Sequence, residues 1–334
     1  MKYHRLSATE KRIYTELKAA VENFRLRVDF YGVSSASISN ALGAVIEENP
    51  EFFWLSGAAE IELTIEGRNI LDVTCDLELE DGIRHEDLKF LYAKFNATVN
   101  DIVFRARQYN THFHRVLFVH DYIADTTVFV TDAPMRYNAY GCLVGHRAVC
   151  AGYAKAFQVI MKRLGYECGY VSGADRDKSS IHSSHAWNYV GIENDYYFVD
   201  LTWDDTFTHG RFGNDEKNNR AHHYFCITEQ ELMLTHIISG EYEYPSCRGT
   251  RYDYYRYNNY YLDSYSFETV KGIADAQLKK ANKFEVKFAS VQELALAKHD
   301  LVENKRFFDI FGTSNRITYT TSDSGLILIA ERHV

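Results

Sequence analysis

The sequence predicts an α+β protein in which a helix that begins at a cysteine packs on an antiparallel sheet. The helix is indicated by apolar residues that recur on one helical face, followed by a glycine where helices usually end: Ala154, Phe157, Met161, Leu164 and then Gly165. The sheet is indicated by two aromatic and β-branched runs, 183–190 and 196–205, around the polar turn 193–195. Together they predict a helix-on-sheet core.

Helical and strand patterns continue on both sides of this core. We expect helices at 8–28, 36–48, 86–108, 112–123 and 291–300, and strands at 61–65, 71–79, 168–173, 222–227, 284–289, 316–321 and 326–331. An exposed polar loop is expected from Asp204 to Arg220. The chain is therefore divided into an N-terminal helical and β-hairpin region (1–105), a core (106–235) and a tyrosine-rich segment with a C-terminal α/β extension (236–334).

The composition excludes several classes of protein. The net charge of −9 argues against general nucleic-acid binding, which needs a basic surface. The six cysteines show no CxxC pair, so a disulfide scaffold is not expected, although one bridge stays open. The N-terminus lacks the apolar run of a signal peptide, and no uncharged apolar stretch of about 18 residues predicts a membrane span. We expect a cytoplasmic protein, with a removed leader or leaderless export left open.

Cys150 stands where a turn-rich run becomes the predicted core helix. Unpaired N–H groups and the positive end of the helix dipole stabilise a thiolate at such a position, and the thiolate is the nucleophilic form. An arbitrary cysteine is more often a small buried hydrophobic residue than a nucleophile. The functional interpretation of Cys150 therefore depends on partners elsewhere in the chain.

Two candidate partners lie on the predicted hairpin. If residue 192 pairs with residue 195, then His185 and Asp200 share one face of the sheet as a diagonal pair, about 7–8 Å apart at Cα. A register shifted by one residue would place them on opposite faces. A single histidine or a single aspartate in such a position is more often a structural residue than a catalytic one. With Cys150 they form a nucleophile, a base and an orienting acid.

The motifs at 145–154 (Gly-x-x-x-Val-Cys-x-Gly-Tyr-Ala), 185–188 (His-Ala-Trp-Asn) and 199–205 (Val-Asp-x-Thr-Trp-Asp-Asp) resemble the bacterial branch of the transglutaminase-like superfamily. The resemblance covers about residues 105–235 and implies a papain-like fold with Cys150 as nucleophile, His185 as base and Asp200 as orienting acid. The run Asn-Pro-Glu-Phe-Phe-Trp (49–54) is similar to an N-terminal feature of such proteins.

The resemblance implies acyl transfer through a Cys150 thioester on a protein or peptide substrate, without a cofactor. Peptidase or amidase activity is favoured because many microbial members are hydrolytic. A protein-glutamine amine transferase (a cross-linking enzyme) and a non-catalytic peptide- or glycan-binding module on the same fold are the alternatives. Candidates for oxyanion or substrate contacts are Tyr140, Trp187 and Trp203. The oligomeric state is left open.

Two further features have competing interpretations. A metal site is not expected, because the one HxxH pair, at 182 and 185, lies in a loop-to-strand region without the helical HExxH context of zinc ligands. The candidates considered are His182, His185, His209, His222 and His223. The tyrosine-rich run 252–267 is interpreted as β-structure with aromatic cross-strand packing, in preference to an exposed surface for peptide or glycan.

Overall fold

The structure is a computed structural model that describes residues 2–66, 69–176, 184–206, 221–240, 244–312, 316–322 and 325–333. It confirms the predicted α+β class, with helices packed on separate, mainly antiparallel sheets. No helix among these residues is long and apolar enough to cross a membrane. All six cysteines are free thiols, so the disulfide left open by the sequence does not form.

The N-terminal part packs helices beside a sheet in the order β1-β3-β2. Its elements are α1 (Lys2–Arg5), α2 (Ala8–Glu22), β1 (Arg27–Tyr31), α3 (Ser35–Glu48), β2 (Leu55–Glu66), β3 (Asn69–Leu79) and α4 (Leu88–Ala106). The helix predicted at 8–28 ends at Glu22, and a strand that was not predicted follows. Phe24 has a φ of 57°, a left-handed conformation that interrupts the helix.

The central part holds the helix-on-sheet unit. Its elements are α5 (His112–Thr126), β4 (Val128–Phe129), α6 (Ala139–Leu143), β5 (Arg147–Ala148), α7 (Cys150–Leu164), β6 (Cys168–Asp175), β7 (Ser184–Ile192), β8 (Asp195–Val199), α8 (Leu201–Thr206), α9 (Glu229–Leu232) and β9 (His236–Ile238). The sheet order is β8-β7-β6-β9, and all pairs are antiparallel. The strand predicted at 222–227 is wrong, since only Ile227 forms a single bridge, to Phe198.

The C-terminal part has its own sheet and hydrophobic cluster. Its elements are α10 (Tyr254–Tyr257), β10 (Tyr261–Leu262), α11 (Phe267–Gln277), β11 (Lys283–Phe288), α12 (Val291–Lys298), α13 (Phe307–Phe311), β12 (Arg316–Ser322) and β13 (Ile327–His333). The predicted β-structure at 252–267 is wrong for residues 254–257, which are helical. Tyr252 and Tyr255 are nevertheless buried, so this part of the run is packing surface.

One continuous hydrophobic core joins the N-terminal helices to α7, while a second cluster fills the C-terminal part. The aromatic run 49–54 lies in the first core, where the Phe53 ring is 4.7 Å from that of Tyr140. Lys287 of β11 is buried between Glu231 and Asp253, at 3.0 and 3.1 Å. These contacts hold the flanking parts against the centre; the divisions at 105/106 and 235/236 remain predictions.

Candidate active site

Cys150 is the first residue of α7, as the sequence predicts. The preceding Val149 provides no side-chain cap, and the first turn contains no acidic residue, so no side chain of the helix neutralises its positive end. Gly165 ends the helix with a φ of 93°, where glycine avoids a steric penalty. The cysteine is partly exposed, whereas the other five are buried.

A close backbone approach fixes the start of α7. A Cβ atom on Gly152 would lie 2.5 Å from the carbonyl oxygen of Arg136 and 2.8 Å from Cβ of Ala148. The same Arg136 oxygen accepts a hydrogen bond from the Val149 N–H at 3.0 Å. Only glycine fits at position 152 without moving this segment, which explains the glycine two residues after the cysteine.

The hairpin has the even register that the Cys150–His185–Asp200 hypothesis requires. Ile192 pairs with Asp195, and Asn188 pairs with Val199. The pairing ends there, and Asp200 leaves the strand just before α8 begins at Leu201. The side chains of His185 and Asp200 meet on one face, as an even register requires.

His185 and Asp200 form a short, buried contact. Nε2 of His185 lies 2.5 Å from Oδ2 of Asp200, and Asp200 is fully buried. The side chain of Cys150 also lies close enough to His185 to help raise the pKa of its imidazole. Since Nε2 is bonded to Asp200, Nδ1 is the ring nitrogen left for the thiol.

The surroundings set the charges of this pair. Burial alone would lower the pKa of His185. The negative charge of Asp200, the hydrogen bond to Asp200 and the interaction with Cys150 have the opposite effect, and they raise the pKa of His185 to about 10. Burial alone would raise the pKa of Asp200, but the charge and hydrogen bond of His185, together with His236, hold it well below its usual range. The arrangement therefore favours an imidazolium next to a carboxylate.

His236 is a site residue that the sequence analysis missed. It begins β9, is fully buried, and its Nε2 lies 3.0 Å from Oδ2 of Asp200. Its Nδ1 lies 2.8 Å from the hydroxyl oxygen of Thr235. The sequence shows only a histidine in a short apolar run, and the pairing of β9 with β6 that brings it to Asp200 is a long-range contact.

Trp187 and Trp203, the two tryptophans expected to contact an oxyanion or substrate, lie next to His185. The ring of Trp187 is 5.6 Å from that of His185, and the ring of Trp203 is 5.9 Å from it. The Trp203 backbone N–H donates to Oδ1 of Asp200 at 3.1 Å. Tyr140 instead packs its ring on Phe53, so its role as an oxyanion donor stays a prediction.

Two aspartates that follow Asp200 have structural contacts in the interior. Asp204 and Asp205 are buried in α8. The prediction of an exposed loop from Asp204 is therefore wrong for these two residues. The rest of that predicted loop, 207–220, lies outside the described residues. Asp204 lies 3.0 Å from Nε2 of His120, and Asp205 accepts the Tyr153 hydroxyl hydrogen bond at 2.5 Å. These partners satisfy the carboxylates in the interior and tie α8 to α5 and α7.

A cysteine at the start of α7 thus lies near a histidine–aspartate pair of the neighbouring sheet region. Residues 100–201 match the model of the transglutaminase-like superfamily, which confirms the resemblance of the motifs. The match includes Cys150, His185 and Asp200.

Similarity to solved structures is weaker. A TGase is 14% identical (TM-score 0.30; 58% of this chain, 53% of that chain). A candidate cysteine protease from Cytophaga hutchinsonii is 13% identical (TM-score 0.29; 44% and 63%). A candidate protease from Parabacteroides distasonis is 10% identical (TM-score 0.25; 43% and 39%). The chain thus spans less than two thirds of each, and at these TM-scores the likeness carries no argument. No curated protein matches the chain.

Proposed function

We propose that this protein is a cysteine-dependent acyl-transfer enzyme, most simply a peptidase or amidase that cleaves amide bonds of proteins or peptides. Cys150 is the nucleophile, His185 the proton carrier and Asp200 the orienting acid. The observation that carries the proposal is the 2.5 Å contact between His185 and Asp200 beside a cysteine at a helix N-terminus. An ordinary structural cysteine has no need of such partners.

The first half-reaction forms a thioester. His185 takes the proton of the Cys150 thiol, the sulfur attacks the amide carbonyl carbon, and the carbonyl oxygen takes the negative charge. We expect the N–H groups at the start of α7, which no side chain caps, to donate to that oxygen. The C–N bond then breaks, and His185 gives its proton to the leaving amine. Asp200 stabilises the imidazolium until that transfer.

The second half-reaction decides the class of enzyme. If water attacks the thioester, His185 accepts its proton, the C–S bond breaks, and the products are a carboxylic acid and free Cys150. If a primary amine attacks, the product is a new amide and the protein is an amine transferase. The Cys-His-Asp set performs both, and the outcome depends on how well the acceptor site excludes water.

An experiment with three readouts separates these functions. The protein is incubated with an unfolded protein substrate and a fluorescent primary amine, and new amino termini, released ammonia and incorporated fluorescence are measured. A peptidase yields new termini, a glutamine amidase yields ammonia without incorporation, and an amine transferase yields both ammonia and incorporation.

Cys150→Ala is the variant that tests the nucleophile, and Cys247→Ala is the matched control at a buried cysteine remote in sequence. We expect new termini or ammonia from the wild type and from Cys247→Ala, and neither from Cys150→Ala. Activity that persists in Cys150→Ala would overturn the proposal. Substrate binding that survives in Cys150→Ala, with no product from the wild type, would favour the binding module.

A further inference from the structure

A second cluster of histidine and aspartate lies between α5 and the segment after residue 220. His120 and Asp121 are adjacent on α5, and His222 comes from the segment before α9. Nδ1 of His120 lies 3.0 Å from Oδ1 of Asp121, and Nε2 of His222 lies 2.9 Å from the same oxygen. The three ligand atoms all lie within 4.8 Å of one another.

These distances are close to those in a metal site. Ligands bonded to zinc at 2.0–2.1 Å in a tetrahedron are roughly 3.3 Å apart. To admit an ion, the Asp121 oxygen would therefore separate from each imidazole nitrogen by only a few tenths of an ångström. The two nitrogens already lie within 4.8 Å of each other. Imidazole nitrogen with carboxylate oxygen is a donor set that suits zinc and neighbouring transition metals.

His120 also has the supporting contact that metal-bound histidines need. Its other nitrogen, Nε2, lies 3.0 Å from Oδ2 of Asp204. A proton on Nε2 would be donated to Asp204 and leave Nδ1 unprotonated, with its lone pair directed to the ion. Asp204 is itself held by the Tyr224 N–H, which donates to its Oδ1 at 3.0 Å. His120 is thus fixed in orientation from outside the cluster.

Burial and charge fit a divalent cation. His120 and Asp204 are fully or almost fully buried, while the side chain of Asp121 is 21% exposed and offers a route from solvent. Two neutral imidazoles with the carboxylates of Asp121 and Asp204 carry a charge of −2, which a divalent ion would neutralise. Alternatively, a His120 protonated on both ring nitrogens would balance one of these two negative charges. Titration with a metal ion distinguishes this protonated state from the metal-bound state.

We propose that His120, Asp121 and His222 bind one divalent transition-metal ion of the zinc class, with Asp204 orienting His120 from the second layer. This site is separate from Cys150 and does not depend on the proposed enzymatic function. It would join α5 to the segment that leads into α9, and through Asp204 to α8, which follows Asp200. The expected role is therefore structural, close to the candidate active site.

The test uses cobalt as a spectroscopic probe for zinc. The full chain, carrying Cys150→Ala so that this thiol cannot bind the metal, is stripped with a chelator and titrated with Co²⁺. We expect visible d–d bands of a low-symmetry site that saturate at one equivalent and disappear when Zn²⁺ is added. Metal content after dialysis gives the stoichiometry independently.

Four variants assign the binding to these residues. His222→Gln removes a ligand but keeps a side-chain N–H for Asp121, so it preserves folding, and it should weaken binding at least tenfold. Asp204→Asn leaves all three ligands in place and should weaken binding about 10- to 100-fold. His299→Gln, at an exposed histidine paired with Glu303, and His236→Gln, in the other histidine–aspartate cluster, should bind like the parent.

Circular dichroism of each variant verifies that the fold is intact. No Co²⁺ or Zn²⁺ binding at micromolar metal, binding that is unchanged in His222→Gln, or binding that is lost in His236→Gln would each overturn the proposal. Binding with the expected pattern across all four variants would support it.

Discussion

Nε2 of His236 lies 3.0 Å from Oδ2 of Asp200, the same oxygen that lies 2.5 Å from Nε2 of His185. Two imidazole rings therefore share one oxygen of a fully buried carboxylate. The second oxygen of Asp200, Oδ1, accepts the Trp203 N–H. The carboxylate is thus held on both oxygens, and its orientation toward His185 is fixed by His236 and the Trp203 backbone.

This arrangement predicts that His236 acts as a positioning residue. His236→Leu removes the donor and should lower kcat about 10- to 100-fold, the effect of losing one hydrogen bond to a charged group. His236→Gln keeps an N–H donor and should recover most of the loss. KM should change little in either variant, since neither removes a substrate contact. Equal losses in both variants, with the fold intact, would contradict the positioning role.

The close contact at Gly152 predicts a steric effect at the start of α7. In Gly152→Ala the new methyl group would collide with the backbone of residue 136, so the free energy of unfolding should fall by about 1–3 kcal/mol. Gly272→Ala is the matched control, because that glycine is also helical and has nothing within 4 Å of an added Cβ. The free energy of unfolding of this control should rise by up to about 1 kcal/mol.

Urea unfolding followed by circular dichroism measures both glycine variants. An unchanged stability of Gly152→Ala would show that the segment near residue 136 moves aside without cost. Steric exclusion would then not explain the glycine at position 152.

The raised pKa of His185 predicts how stability depends on pH. Its folded-state pKa of about 10 lies above the ordinary value of 6.5, so its protonation stabilises the folded state. This contribution is fully present below pH 6.5 and is lost as the pH rises through about 10. The stability of the wild type relative to His185→Gln should therefore be larger at pH 6 than at pH 10.

The difference between these two pH values should reach at least about 1.4 kcal/mol, the free energy of one pKa unit. Urea unfolding of both proteins at the two pH values is the measurement. A difference that is flat or grows with pH would mean that His185 is not held as an imidazolium by Asp200.

Local patterns in the sequence were sufficient for the centre of the site. The start of the helix at Cys150 follows from the apolar spacing, and the polar turn predicts the hairpin. The even register that joins His185 to Asp200 was one of two that the sequence left open, and the structure has it. The helix and the hairpin both depend on contacts between near neighbours in the chain. The transglutaminase-like resemblance adds the order of the three motifs, and the family match over residues 100–201 confirms it.

Residues that depend on long-range pairing were not predictable. His236 reaches Asp200 only because β9 pairs with β6, some sixty residues away in sequence. Asp204 and Asp205 resemble loop residues in the sequence, since aspartate is usually exposed, and they are buried only because His120 and Tyr153 meet them. The tyrosines at 254, 255 and 257 lie on a short helix and pack against other elements, not across paired strands. Tyr255 is buried, Tyr254 stacks on His222 and Tyr257 stacks on Phe113.

The most direct test of the central claim is alkylation of Cys150 by iodoacetamide at pH 6.5, in the wild type and in His185→Ala. An unassisted thiol is only about 1% thiolate at that pH. If His185 and Asp200 activate Cys150, the wild type should be alkylated at least about tenfold faster than the variant. Equal and slow alkylation in both proteins would contradict the account and leave Cys150 an ordinary thiol.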